Sequence, residues 1–407
     1  FNGTVNVGYQ AISFPQIDNH LTSDPPFDIT ATASSGLEVL FEVLSGPATI
    51  DGNTITLTGD AGEVVIEATQ PGDDTYDPAE PVQNSFMVLD PATHVPDIDP
   101  RNPLAGDVYV PSLDYIQLAA YVTIEYPELF QVQNVQFNIN GQSFQATDWG
   151  EGFYSGWWAP PSYGSYTLNI VATTNFGAAE TTSVNINVVD AASDMEVQAV
   201  DDVWLSTDNP SEVVEAELPS YTGAFNQVTA TLELTCPPGG CGEWDRVASI
   251  DARGHDGKWI EIIRYITPYG VPCSHTIDLT DYMSVLQGKV AFRLNCFTLD
   301  NGYYYDLTFN FSEGTPAYNF SFIDIIWWET FQFGDYAILQ PVQDINYSFN
   351  DNAQAATLKL VSSGHGWGDN NTGNAAEFHE DTHHIWVNGE ETFEQHNWSV
   401  CNPNPDG

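Results

Sequence analysis

The stretch CPPGGCGEWDRVASIDARGHDGKWIEIIRYITPYG, Cys236 to Gly270, decides how this chain is read. It opens with two cysteines around a Pro-Pro-Gly-Gly turn, which brings the two thiols together. The chain has no CxxC zinc or redox spacing, so the pair reads as a disulfide, Cys236 to Cys241, and as a sign of an oxidising, extracellular setting. Directly after it come Glu243, Trp244, Asp245 and Arg246. Asp245 and Arg246 leave the closed turn side by side, as a carboxylate and a planar fork of donors. That is equipment for moving a proton beside a polar, neutral substrate such as a sugar amide. The remainder alternates as two strands around a turn at His255-Asp256-Gly257.

Outward from this hairpin, nearly everything reads as strand, and the expected fold class is all-β. Tyr166 to Ala172 and Ser183 to Val189 alternate β-branched and polar residues between Gly, Asn and Pro signals. No convincing amphipathic helix is present, and Asp278 to Leu286 is expected to form one short turn. Residues 1–90 read as an Ig-like sandwich whose short strands are separated by SG, DGN and GDAGE turns and whose last strand is Val82 to Leu89. The Pro- and Asp-rich run Asp90 to Asp107 reads as a linker. It leads into a second Ig-like sandwich, so that residues 91–192 form one region. Trp149, Phe153, Tyr154, Trp157 and Trp158 crowd its middle. These rings suit a packed aromatic core, or, where exposed, a platform for stacking sugar rings. Both readings stand.

Composition narrows the partners. Against 56 Asp and Glu there are 8 Lys and Arg, a formal net charge of -48. Nucleic acid and anionic membrane surfaces need clustered cations and are poor partners, so no nucleic acid is expected to bind. No apolar run is long enough to span a bilayer, so no membrane insertion is expected. Carbohydrate, a protein surface or a cation such as calcium remains. The acid clusters Asp73, Asp74 and Asp77, and Asp97 and Asp99, suit solvated turns or, at the linker, a calcium ion; no EF-hand pattern appears.

The residues quoted above also carry a resemblance. A CxxxxC-x-EWDR segment leading into a hairpin that ends in Arg264, Tyr265, Ile266, Thr267, Pro268 and Tyr269 resembles the bacterial peptide-N-glycosidase F family. A second stretch, SSGHGWGDNNTGNAAEFHEDTHHIWVNG, Ser362 to Gly389, is similar to the same family at Gly366-Trp367-Gly368, Ala376-Glu377-Phe378, Thr382-His383 and Val387 to Gly389. The resemblance implies a double jelly roll. The first, residues 193–337, would end its strand run at the Gly-Thr-Pro turn after Gly314, and the second, 338–407, would only be begun. Roughly 60 residues cannot close a two-sheet sandwich. We therefore expect further chain, or a second chain, to complete it, and Cys401 matches a family cysteine whose partner lies beyond Gly407.

The resemblance further implies that the substrate is an N-glycan or glycoprotein and that the reaction is hydrolysis of the asparagine–sugar amide, with no cofactor. Asp245 matches the principal catalytic carboxylate and Glu377 a second one, Arg246 the arginine that contacts the core sugar, and Trp244 and Trp367 aromatic residues near the groove. Two carboxylates in one cleft can divide the tasks of activating water and protonating the departing nitrogen. One position departs from the family. A third glutamate, expected in the strand before the Gly-Thr-Pro turn, falls on Cys296, with Asn295 before it and Asp300 four residues on. Cys273 and Cys296 read as a second disulfide, with a free cleft thiol at Cys296 as the alternative.

Two other classes stand beside the amidase. The lost glutamate and the two Ig-like modules favour a non-catalytic adhesin or fibre subunit, attached to a cell surface or self-assembled through sheet edges. His365, His379, His383 and His396, with His384, cluster near the end of the chain and raise a metal site. Copper is disfavoured, because copper monooxygenases on such folds use Met as well as His and none of the three Met lies near these histidines.

Overall fold

The computed structural model describes residues 8–254, 257–331, 342–349, 352–364 and 379–397. Period-two alternation governs the sequence, and strands follow from it. Tyr303–Glu313 is the clearest case: Tyr303, Tyr305, Leu307, Phe309 and Phe311 are all buried, and each residue between them is partly exposed. The fold is all-β. One 3-10 turn, Thr280–Val285, falls inside the short turn expected from sequence.

One compact unit comprises Phe1–Ala105, Gln117–Trp158 and Ser165–Ile186. It contains a small sandwich with a four-stranded sheet in the order His20–Leu21, Val82–Leu89, Gly62–Thr69 and Leu40–Ser45. The three-stranded sheet is Phe27–Asp28, Thr54–Leu57 and Ala48–Asp51. Ile55, Val64, Ile66, Phe86 and Val88 fill its core. The next sandwich has one sheet in the order Asp97–Asn102, Ile116–Thr123, Phe153–Trp158 and Thr147–Asp148. Facing it are Gln142–Gln145, Val132–Ile139, Gly164–Thr174 and Ala179–Val189. The expected linker thus contains a strand. Asp97–Asn102 pairs with Ile116–Thr123 at the sheet edge, and the register shifts between Pro100 and Asn102. An edge position with a bulge is where a proline costs the ladder least. Of the crowded aromatics, Trp158, Phe153 and Tyr154 are buried, whereas Trp149 and Trp157 remain 43% and 47% exposed.

The second unit comprises Gly106–Ile116, Ala159–Gly164 and Asn187–Gly407. Its core is a jelly roll. One sheet runs Met195–Leu205, Tyr303–Glu313, Phe225–Thr235, Cys273–Asp278; the other runs Ser211–Leu218, Gly288–Cys296, Val247–Arg253, Trp259–Ile266. Numbered along the chain these are strands one, eight, three, six and two, seven, four, five, the interleaving of two Greek keys. Phe225, Leu232, Phe292, Leu294, Phe309 and Phe311 pack between the sheets. Each such side chain contributes about 1.5–3 kcal/mol by leaving water. Beyond this sandwich the described residues contain one further hairpin, Asp381–Val387 with Glu390–Asn397. It turns at Asn388 and Gly389, both at positive φ, as a two-residue hairpin turn requires.

Candidate active site

In a jelly roll, alternate loops gather at one end. Here the loops after strands one, three, five and seven are joined by hydrogen bonds: 206–210, 236–246, 267–272 and 297–302. The quoted turn is the largest of them. Cys236 and Cys241 form a disulfide. Asn301 Nδ2 donates to the carbonyls of Pro238 and Gly240 at 3.2 and 2.7 Å, holding that turn from the neighbouring loop. Asp300 does the same one step further on. Its carboxylate accepts the Thr298 hydroxyl at 2.5 Å, the Gly302 N–H at 3.1 Å and the Glu243 N–H at 3.1 Å. Its carbonyl accepts from the N–H and hydroxyl of Thr207, in the first loop.

The contacts leave no slack. A Cβ on Gly242 would lie 2.7 Å from Asp300 Oδ1, and one on Gly302 would lie 1.9 Å from the Leu205 carbonyl, at φ +68. Gly302 therefore requires glycine, and a side chain at Gly242 would push on the Asp300 carboxylate. From the other side, Gly270 N–H donates to the Gly242 carbonyl at 2.8 Å. The Tyr303 hydroxyl donates to the Gly242 and Pro268 carbonyls. Thr267 brackets the key pair, because its hydroxyl accepts the Arg246 N–H at 2.8 Å and its own N–H donates to the Arg246 carbonyl at 2.9 Å. The backbone that carries Trp244, Asp245 and Arg246 is thus fixed by two other loops, 267–272 and 297–302, and the second of these is itself tied to Thr207.

On this platform Trp244 is 58% exposed, and Asp245 and Arg246 are half-buried. Arg246 Nε is buried and has no hydrogen-bond partner among the described residues. No hydrogen bond to the Asp245 carboxylate is formed among them either. Burial pushes the Asp300 carboxyl up, but its hydrogen bonds from Thr298, Gly302 and Glu243, with Arg246 nearby, outweigh burial and hold it below its ordinary value.

The structure corrects the expectations for Cys273 and Cys296. They are free thiols, not a disulfide. Cys273 starts an edge strand opposite Leu234, and Cys296 ends a strand of the other sheet, opposite Ala248. The strand that runs into the Gly-Thr-Pro turn is Tyr303–Glu313, so Cys296 lies one strand earlier than the resemblance placed it. Cys296 is 1% exposed, and burial pushes its thiol up, as it does the neighbouring hydroxyls of Tyr265 and Tyr305. Such a thiol is a core group, not an activated nucleophile.

Of the other expected site residues, Glu377, Trp367 and His365 lie outside the described residues. The hairpin does not gather the remaining histidines. Thr382 stands opposite His396 and His383 opposite Gln395, so His383 and His396 lie on opposite faces. His379 lies just before the hairpin. What the hairpin brings together is His384, Glu391 and Glu394, all exposed, with ligand atoms within 4.8 Å of one another. Their carboxylates raise the His384 imidazole above its ordinary value, the Glu391 hydrogen bond most. A separate cavity of about 290 Å³ is lined by Glu261, Arg264, Tyr265, His275, Tyr282 and Lys359 and contains neither Asp245 nor Arg246. Its cations are paired, Arg264 with Glu261 at 2.8 Å and Lys359 with Asp281 at 3.6 Å.

Asp300, Asn301, Thr267 and Tyr303 were not identified from sequence as site residues. The Asp-Asn-Gly turn signal at 300–302 was the available clue to the first two.

The chain is 29% identical over 206 residues to the peptide-N(4)-(N-acetyl-beta-D-glucosaminyl)asparagine amidase F of Elizabethkingia miricola, a match covering 46% of this chain and 57% of that protein. The family model for the C-terminal domain of peptide-N-glycosidase F matches residues 334–402. The chain is thus similar to peptide-N-glycosidase F in sequence. Its match spans little more than half the length of the curated relative. Among solved structures, a crystal structure of peptide-N(4)-(N-acetyl-beta-D-glucosaminyl)asparagine amidase shares 24% identity over 50% of this chain and 71% of that chain, with a TM-score of 0.38. That of a glycosylasparaginase from Flavobacterium meningosepticum shares the same identity and coverage, with a TM-score of 0.37. No helix among the described residues is long and apolar enough to cross a membrane.

Proposed function

We propose that this peptide-N-glycosidase F-like chain is an extracellular amidohydrolase that cleaves the amide between asparagine and the first sugar of an N-glycan, leaving aspartate on the peptide. The observation that carries the reading is a half-buried carboxylate, Asp245, next in the chain to Arg246, whose buried Nε has no partner among the described residues, on backbone fixed by two neighbouring loops. A buried donor without an acceptor costs about 1–3 kcal/mol. A sugar hydroxyl or carbonyl bound there recovers that energy, while the adjacent carboxylate handles the proton. Trp244, exposed at the rim, offers an indole face to the glycan. Glu377 is the proposed second carboxylate and Trp367 a further groove residue.

A binding-only reading is the alternative: Cys296, the position counted for the third acid, is a core thiol one strand before the Gly-Thr-Pro strand. The two separate in one experiment. The full chain and its Asp245→Asn variant are incubated with a denatured N-glycoprotein. Glycan release by the former and not the latter supports the amidase. Retained glycoprotein binding without release by either favours the binding reading.

A further inference from the structure

The outer face of the sheet containing Phe153–Trp158 carries a second constellation, which the amidase reading does not use. Along this strand Tyr154, Gly156 and Trp158 turn inward: Trp158 is fully buried, and a Cβ on Gly156 would lie 3.3 Å from the ring of the buried Phe137. Phe153, Ser155 and Trp157 therefore turn outward. Trp149, on the preceding turn, donates its indole N–H to Ser155 Oγ at 2.8 Å, so its ring lies on that same outward face. Ser155 is buried, while the two indoles keep 43% and 47% of their surface exposed. One strand step of two residues, about 7 Å, separates the residue that anchors Trp149 from Trp157.

The ground beside the indoles is rigid and polar at its border. The Phe153 ring meets Tyr121 edge-on, with centroids 5.1 Å apart. The Arg101 guanidinium lies 5.1 Å over Tyr121 and is itself almost fully buried. Its partner at 2.9 Å, the Asp99 carboxylate, is 37% exposed and so presents an oriented acceptor at the edge.

We propose that this face binds a neutral oligosaccharide. Two half-exposed indoles on one face, Trp157 and a Trp149 anchored one strand step from it, offer flat apolar area to the C–H faces of sugar rings at little entropic cost, because a hydrogen bond already fixes Trp149. Asp99, held by Arg101, accepts from a sugar hydroxyl. The net charge of -48 repels acidic sugars and so selects for neutral ones. The site is independent of the Asp245 platform.

The test uses the full chain carrying Asp245→Asn, so that no probe is consumed. Chitotetraose, mannotetraose and tetragalacturonate are titrated by calorimetry, with sedimentation run in parallel. Binding of a neutral probe but not of the galacturonate is expected, with affinity falling about tenfold or more in the Trp149→Ala/Trp157→Ala variant. If that variant does not fold, Trp157→Ala combined with Trp149→Phe leaves the turn a ring and is expected to weaken binding in the same direction. The proposal is overturned if no neutral probe binds or if folded variants bind unchanged. It is also overturned if what the variants lose is self-association of the chain. Loss of glycan release by Asp245→Asn with neutral-sugar binding intact separates this site from the amidase cleft.

Discussion

Replacing Asp300 by alanine tests whether the loop end of the jelly roll is a braced platform. In the structure one carboxylate accepts three hydrogen bonds, from Thr298, Gly302 and Glu243, and sits against Gly242, three residues from Asp245. Hydrogen bonds to a charged group are worth about 1.5–3 kcal/mol each, but Asp300 is half-buried and the freed N–H groups can recruit water. The expected loss is therefore about 2–4 kcal/mol for the jelly-roll transition. The effect should also be local: hydrogen exchange at the Glu243 and Gly302 amides should accelerate, while amides in the Phe225–Thr235 ladder hold. Acid gives the same test without mutation. The folded Asp300 carboxyl is held below its ordinary value, so its contribution is complete above the unfolded value of about 3.9. It is lost as the pH falls from there through the folded value. The variant should lack this part of the acid sensitivity. Unchanged stability and unchanged exchange at Glu243 would refute the bracing role.

Removing the disulfide with Cys236→Ser/Cys241→Ser should cost about 2 kcal/mol from the short closed loop, read in denaturant melts, and should leave the two sandwiches of the first unit unaffected. Without denaturant, a thiol reagent should label the half-buried Cys273 readily and Cys296 only on unfolding; fast labelling of Cys296 would contradict its place in the core. Arg293→Met should cost about 3 kcal/mol, because it strands the Asp251 carboxylate, which is almost fully buried and now accepts from Arg293 Nε and Nη2 at 2.9 and 2.6 Å. Asn295 at 3.0 Å is the partner left.

Strands were legible wherever alternation was unbroken. Val82–Leu89 appears with the bounds its sequence pattern suggested. Asp97–Asn102 was not legible, because Pro100 and two aspartates read as linker and only an edge strand with a bulge tolerates them. Of the candidate site, the disulfide turn and the adjacent acid and arginine could be read directly, being contiguous. The brace could not: Asp300, Asn301, Thr267 and Thr207 are distant in sequence and meet only because two Greek keys deliver four loops to one end. The same non-locality misled the reading of Cys273 and Cys296. Compartment and count suggested a bond, but nothing local to either cysteine shows that they start and end strands of different sheets.

The most direct test of the central claim is mass spectrometry of a defined N-glycopeptide after incubation with the full chain and, separately, with its Asp245→Asn variant. We expect the full chain to give deglycosylated peptide with aspartate at the former glycosylation site and the variant to leave the glycopeptide intact. Equal conversion by both proteins, or release that leaves asparagine in the peptide, would contradict an amidase built on Asp245.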